Sequence, residues 1–353
     1  MENRLTYLDS AKGIGIILII LGHVLPSNNY IRNWIYSFHV PLFFIISGML
    51  LSYKSSWIYK DKKSIIKNKA KQILYPYATF SMLAIFIMFL QEVIRLLLFN
   101  NASFAPILVN VIFTVFLDGY MSLWFLPALF LAELMFIFIY RSKLNKPLIL
   151  IALVIMEILG CSIVQNNLNS YIFLLLNIIT RAGIGTCFIF VGFYLFKYIN
   201  YIKSKVLYIA IVIYGLINLL TSQMNLPIDL HYSELGNPIL YFASSIFGSL
   251  FVIITCKYIF GKSKLMQFFG KNSLIIMATH LPLPVLTLLS TLINEINISE
   301  SLHVLFVFVS IIIVEFFIIH FINSYAPFMT KYRSVLPKKY IIKYANFVFK
   351  SRV

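Results

Sequence analysis

From about residue 11 to residue 325 the chain reads as one apolar run after another, most of them near the length of a membrane-crossing helix and each closed by a short polar loop. A bilayer core needs about 20 apolar residues per helix, and inside lipid the backbone must satisfy its own hydrogen bonds. The pattern therefore predicts an all-α polytopic membrane protein. Composition agrees, because 60% of residues are hydrophobic and 12% charged, whereas a soluble domain carries about a quarter charged residues. Spans are expected at about 11–25, 31–53, 73–99, 122–140, 147–164, 171–196, 206–222, 238–260, 273–293 and 303–325, which makes about ten. The apolar stretch 105–117 is roughly 13 residues long, too short to span, and reads as re-entrant or interfacial. The expectation is one transmembrane domain over 1–330 and a basic cytoplasmic tail over 331–353. No signal peptide is expected, since the first run starts behind Asp9 and Lys12 and has no small-residue cleavage pattern.

The formal net charge of +17 is read through topology and not through nucleic-acid binding. Lys and Arg collect on the cytoplasmic side of membrane proteins. Here Lys54 to Lys71 form one basic stretch opposed only by Asp61, and the basic residues outside the expected inner loops and tails are Arg32, Arg95 and Arg181. Expected outer loops hold Asp118, Asp229, Glu234, Glu295 and Glu300. That asymmetry predicts a plasma-membrane protein with both termini cytoplasmic. Cys161, Cys187 and Cys256 lie in apolar stretches without metal-ligand spacing, so neither a metal site nor a disulfide is expected. No internal repeat of the kind secondary transporters carry is visible.

Ionisable residues inside apolar runs carry the functional signal, because they are expensive in lipid and mark sites or pathways. Lys12 and His23 are eleven residues apart, roughly three helical turns, so they share a helix face about 16 Å apart. By the same counting His39 lies roughly 22 Å above Lys54 and His280 roughly 13 Å above Lys271. Glu133, Glu157 and His320 fall at roughly 12–16 Å, with Arg181 and Glu315 near 24 Å. If these helices face a common interior, they build one polar chamber. Blander readings stand beside this one. His303 and His320 can simply bond a backbone carbonyl, Glu92 and Arg95 form a local pair, and Pro26 and Pro41 end helices. Arg181 can bind an anionic acceptor group or pair with Glu157 or Glu133.

The segment LDSAKGIGIILIILGH at 8–23 resembles the opening motif of the integral membrane family called acyltransferase 3, a basic residue followed after ten residues by His. FHVPLFFIISG at 38–48 and KQILYPY at 71–77 resemble its next motifs, with Val40 where Met is commoner and Lys71 where Arg is. LWFLPALF at 123–130, ELGNPILYF at 234–242 and FGKNSLIIMATH at 269–280 complete the order, in the form of the branch near fucose 4-O-acetylases. The resemblance implies an O-acyltransferase that takes acetyl from cytoplasmic acetyl-CoA to a surface glycan or its lipid-linked precursor. It implies His23 as general base, with His39 as its partner and Asp9 orienting Lys12. Lys12, Lys71 and Lys271 are the expected donor-binding cations. Ser47, Trp124, Asn272 and His280 carry over as acceptor-side residues beside Arg181. The sequence leaves open a homo-oligomer or a glycan-assembly partner. A transporter or flippase for an anionic or lipid-linked glycan is the alternative, since many spans and midplane charges serve it too.

Overall fold

The computed structural model describes residues 5–166, 171–201, 204–295 and 298–331. Among these residues there is no β-strand, only an isolated bridge between Asp229 and Glu234. The helices in chain order are α1 Thr6–Val24, α2 Tyr30–Tyr36, α3 His39–Tyr53, α4 Lys62–Lys69, α5 Tyr75–Phe99, α6 Ala105–Val115, α7 Phe125–Arg141 and α8 Lys146–Asn166. They continue as α9 Tyr171–Tyr201, α10 Ser204–Met224, α11 Pro238–Thr255, α12 Lys264–Lys271, α13 Ser273–Thr279, α14 Val285–Asn294 and α15 Glu300–Tyr325. A π-helical turn at Ala70–Leu74 joins α4 to α5, and another at Cys256–Phe260 follows α11.

Eight helical segments among the described residues are long and apolar enough to cross a membrane. Two of the expected spans are not among them. The one expected at 206–222 forms α10, Ser204–Met224, of which Tyr208–Met224 is the apolar part among the described residues. The one expected at 273–293 is divided, because Pro282 and Pro284 offer no N–H to the preceding turn. α13 accordingly stops at Thr279 and α14 starts at Val285. The stretch 105–117 forms the separate short helix α6 of 11 residues, packed on α5. The expected basic tail lies outside the described residues beyond Lys331.

Outward faces are apolar. Met82, Phe86 and Leu97 on α5, Leu148 and Ile155 on α8, and Phe317 and Phe321 on α15 are exposed. Apolar surface so extensive suits a bilayer and not water. Between helices the contacts are close at paired glycines. A Cβ added at Gly13 of α1 would strike the Met266 carbonyl of α12, and one at Gly270 of α12 would strike the Asp9 carbonyl of α1. α3 and α9 meet the same way, with Gly48 against Ile189 and Gly192 against Ile45. In lipid, where apolar burial drives association weakly, such small-residue crossings supply packing.

Candidate active site

The site forms where three helices break. α1 ends at Val24 ahead of Pro26, which leaves His23 in its last turn. Between α2 and α3 the chain kinks at Ser37 and Phe38, since Pro41 cannot donate to the Ser37 carbonyl. Ser245 Oγ of α11 donates to that carbonyl instead, at 2.7 Å, as a backbone break at membrane depth requires. The third break is the α13–α14 junction, with His280 as the residue that ends α13.

These breaks bring the imidazoles together. The rings of His23 and His280 are 5.5 Å apart, and those of Tyr36 and His39 are 4.8 Å apart. Tyr36 links the two pairs, because its hydroxyl lies 3.0 Å from His23 Nδ1. Arg32, one turn before Tyr36, places its guanidinium 4.2 Å from the Tyr36 ring centre.

A cavity of about 880 Å³ opens beside this cluster, and His23, Tyr36, His39 and Arg32 line one end of it. Lys12, Lys54, Lys60 and Lys69 line the other. Helix length separates the ends, since His39 and Lys54 stand at opposite termini of α3, roughly 22 Å apart at helical rise. The wall between is mostly apolar and includes Ile16, Phe43, Ile46, Leu126 and Leu129. In that wall Ser47 Oγ donates to Glu133 Oε1, and Lys69 Nζ lies 2.6 Å from Glu133 Oε2.

The loop between α10 and α11 closes the histidine end, contributing Asp229, His231 and Tyr232 to the lining. Asn225 braces the loop, donating to the Leu235 carbonyl at 2.9 Å and accepting from the Asn237 N–H at 2.7 Å. His231 stacks on Trp124 at 5.7 Å. Burial, with the Arg181 charge adding to it, pushes the His231 imidazole down to about 3. Burial raises the Asp229 carboxyl, against the pull of the His231 N–H it accepts.

The structure places the other sequence candidates as follows. Ser47 and Trp124 line the cavity. Asp9 is buried, outside the cavity wall, and holds Lys12 at 3.1 Å across one helical turn. His280 is buried behind His23 and is not part of the wall. Lys71 and Lys271 do not line the cavity; Lys271 is exposed. The lysines that do line it besides Lys12 are Lys54 at the C-terminal end of α3, Lys60 in the turn before α4 and Lys69 at the end of α4. Asn272 is spent on structure, donating to the Phe268 carbonyl and accepting from Asn323, both at 2.9 Å. Arg181 lies behind Trp124, 5.1 Å from its ring centre, and pairs with Asp118 instead of Glu157 or Glu133. His320 is exposed on the outer face of α15. Tyr36, Arg32 and Asp229 join the site without a sequence signal of their own, because an aromatic in an apolar run and charges near loops carry no distinguishing pattern.

Fold and cavity define a helical membrane bundle enclosing a chamber with imidazoles at one end and ammonium groups at the other. Residues 5–320 match the family model described as acyltransferase domain, acyltransferase 3, and the chain belongs to that family. The protein is thus a membrane acyltransferase. No curated protein and no solved structure matches it. The transporter reading receives no support from the comparison.

Proposed function

We propose that the protein moves an acetyl group from acetyl-CoA to a hydroxyl of a surface glycan or its lipid-linked precursor, in the branch that includes fucose 4-O-acetylases. On this reading it sits in the plasma membrane with both termini cytoplasmic. The observation that carries the proposal is the polarity of the chamber, with Lys12, Lys54, Lys60 and Lys69 at one end and His23 and His39 at the other. Acetyl-CoA is a long molecule with phosphates at one end and a thioester at the other. Its phosphates suit the lysines by charge, and an extended pantetheine arm is comparable in length to the Lys12–His23 separation of about 16 Å.

At the far end, the chemistry needs a base for the acceptor hydroxyl, stabilisation of the oxyanion and exclusion of water. His23 takes the hydroxyl proton while the acceptor oxygen attacks the thioester carbon. Arg32 is the cation that lines this end and can offset the oxyanion charge. The C–S bond then breaks, and the thiolate recovers the proton from His23. His39 donates from Nδ1 to the Ile35 carbonyl at 3.0 Å, so its Nε2 is left as an acceptor suited to orienting a hydroxyl. The apolar wall limits water at the thioester.

The test uses membranes containing wild-type protein or a His23→Ala variant, with radiolabelled acetyl-CoA and the glycan fraction of the same cells. Removing a general base lowers the rate by about 10²- to 10⁴-fold. Full label incorporation by an inserted His23→Ala protein would overturn the assignment.

A further inference from the structure

The three histidines at the head of the chamber differ in what holds Nδ1. In His39 and His280 that nitrogen lies 3.0 Å from the Ile35 carbonyl and 2.6 Å from the Ile276 carbonyl. A carbonyl only accepts, so each of these rings carries a proton on Nδ1 and, when neutral, presents a bare Nε2. His23 is different, because its Nδ1 faces the Tyr36 hydroxyl at 3.0 Å. A hydroxyl both donates and accepts. If Tyr36 donates, His23 keeps its proton on Nε2 and that nitrogen cannot act as a base. If Tyr36 accepts, the proton sits on Nδ1 and Nε2 is free.

We infer that Tyr36 is a positioning residue for His23, whose hydroxyl orientation decides which imidazole nitrogen is available for proton transfer. The accepting orientation needs another acceptor for the phenol O–H, and His39 supplies one. The His39 ring packs 4.8 Å from the Tyr36 ring, and its bare Nε2 is the kind of group a phenol O–H donates to. His280, its Nε2 buried without a hydrogen-bond partner, lies 5.5 Å from the His23 ring and has no second proton to give while neutral. Gly22 makes the approach possible, since a Cβ there would come within 3.0 Å of Tyr36 Cε2.

This inference rests on His23 being the base of the proposed transfer. The acceptor hydroxyl proton then moves to His23 Nε2 as the new C–O bond forms, and the same proton leaves with the thiol when the C–S bond breaks. Tyr36 keeps its proton throughout, and its oxygen accepts from His23 Nδ1 while the ring is an imidazolium. No net proton is gained or lost by the pair.

The experiment uses full-length protein carrying ¹⁵N-histidine in detergent micelles, with the His23 resonances identified by their loss in His23→Gln. The wild-type ring is expected mainly in the Nδ1-protonated form, and Tyr36→Phe is expected to move at least about half of it to the Nε2-protonated form. In parallel, thiol release from acetyl-CoA in the presence of the glycan fraction should fall about 10- to 100-fold in kcat, with KM for acetyl-CoA changed by less than about twofold. An unchanged tautomer ratio with unchanged kcat would overturn the inference. Should Tyr36→Phe fail to fold, 2,3-difluorotyrosine placed at position 36 keeps the shape but makes the phenol a weaker acceptor. An about three- to tenfold loss of kcat at unchanged melting temperature is then expected, and an unchanged rate overturns the inference. A His23→Gln protein that still transfers acetyl, beside a shifted tautomer in Tyr36→Phe, would refute the base assignment while upholding the Tyr36–His23 coupling.

Discussion

Lys69 Nζ and Glu133 Oε2 lie 2.6 Å apart in the wall of the chamber, tying the basic helix α4 to α7. Glu133 is 6% exposed and also accepts from Ser47. Breaking a buried pair by removing one partner is strongly destabilising, because the other charge stays behind without compensation. Lys69→Ala is therefore expected to lower stability by about 1–3 kcal/mol, less than a fully buried pair would lose, and Lys69→Arg to restore most of it. Thermal melts in detergent check the order wild type, Arg, Ala; equal melting temperatures for Ala and wild type would show that the pair contributes nothing.

The glycine crossings set a second expectation. Gly13→Ala and Gly270→Ala each drive a methyl into a facing carbonyl between α1 and α12, and overpacking of this kind costs about 1–3 kcal/mol or more. Gly215→Ala meets only the Phe251 ring, at 3.1 Å, which can give way. Expression level and melting temperature should fall for the first two variants and hardly at all for the third.

On the proposed function, donor binding should separate the lysines that line the chamber from those that do not. A Lys54→Gln, Lys60→Gln double variant should raise KM for acetyl-CoA by about five- to tenfold at low salt, with the difference shrinking as salt screens the charges. Lys271→Gln should leave KM unchanged, since its side chain is exposed away from the chamber. Steady-state kinetics at two ionic strengths distinguish these outcomes.

The loop at 225–237 carries a pH signature. His231 has a folded-state pKa of about 3, below the roughly 6.5 of a free imidazole, so between those values the unfolded chain binds the extra proton. Stability from this group is present above about pH 6.5 and is lost as pH falls toward 3. Asp229, whose carboxyl is raised, works in the opposite sense. His231→Phe keeps a ring against Trp124 and removes the histidine's contribution, so its melting temperature should fall less steeply than that of wild type between pH 6.5 and 4.5. Identical slopes would mean that His231 titrates normally.

Much of this arrangement was legible in the sequence. The Lys12–His23 spacing alone placed the two groups about three turns apart on one face of α1, and Pro26 and Pro41 marked two of the three helix breaks. The break after His280 is written in Pro282 and Pro284 but is hidden, because the surrounding residues are apolar enough to read as one span. Which lysines reach the chamber was not legible. Lys69 and Lys71 stand two residues apart in the same basic stretch, and only the fold of α4 and the π-helical turn decides between them. Arg181 and Asp118 are 63 residues apart in sequence, so no local pattern could pair them. Tyr36 was hidden by its ordinariness, one of 22 tyrosines.

A chamber with lysines at one end and Arg32 and Asp229 at the other, running through a single bundle, is also a hole to be kept shut. Ions and protons driven by the membrane potential, worth about 2.3 kcal/mol per charge per 100 mV, press on any water file across it. The apolar belt of Ile16, Phe43, Ile46, Leu126 and Leu129 therefore has the duty of a seal, since a constriction of such residues excludes water unless something dry and well fitted fills it.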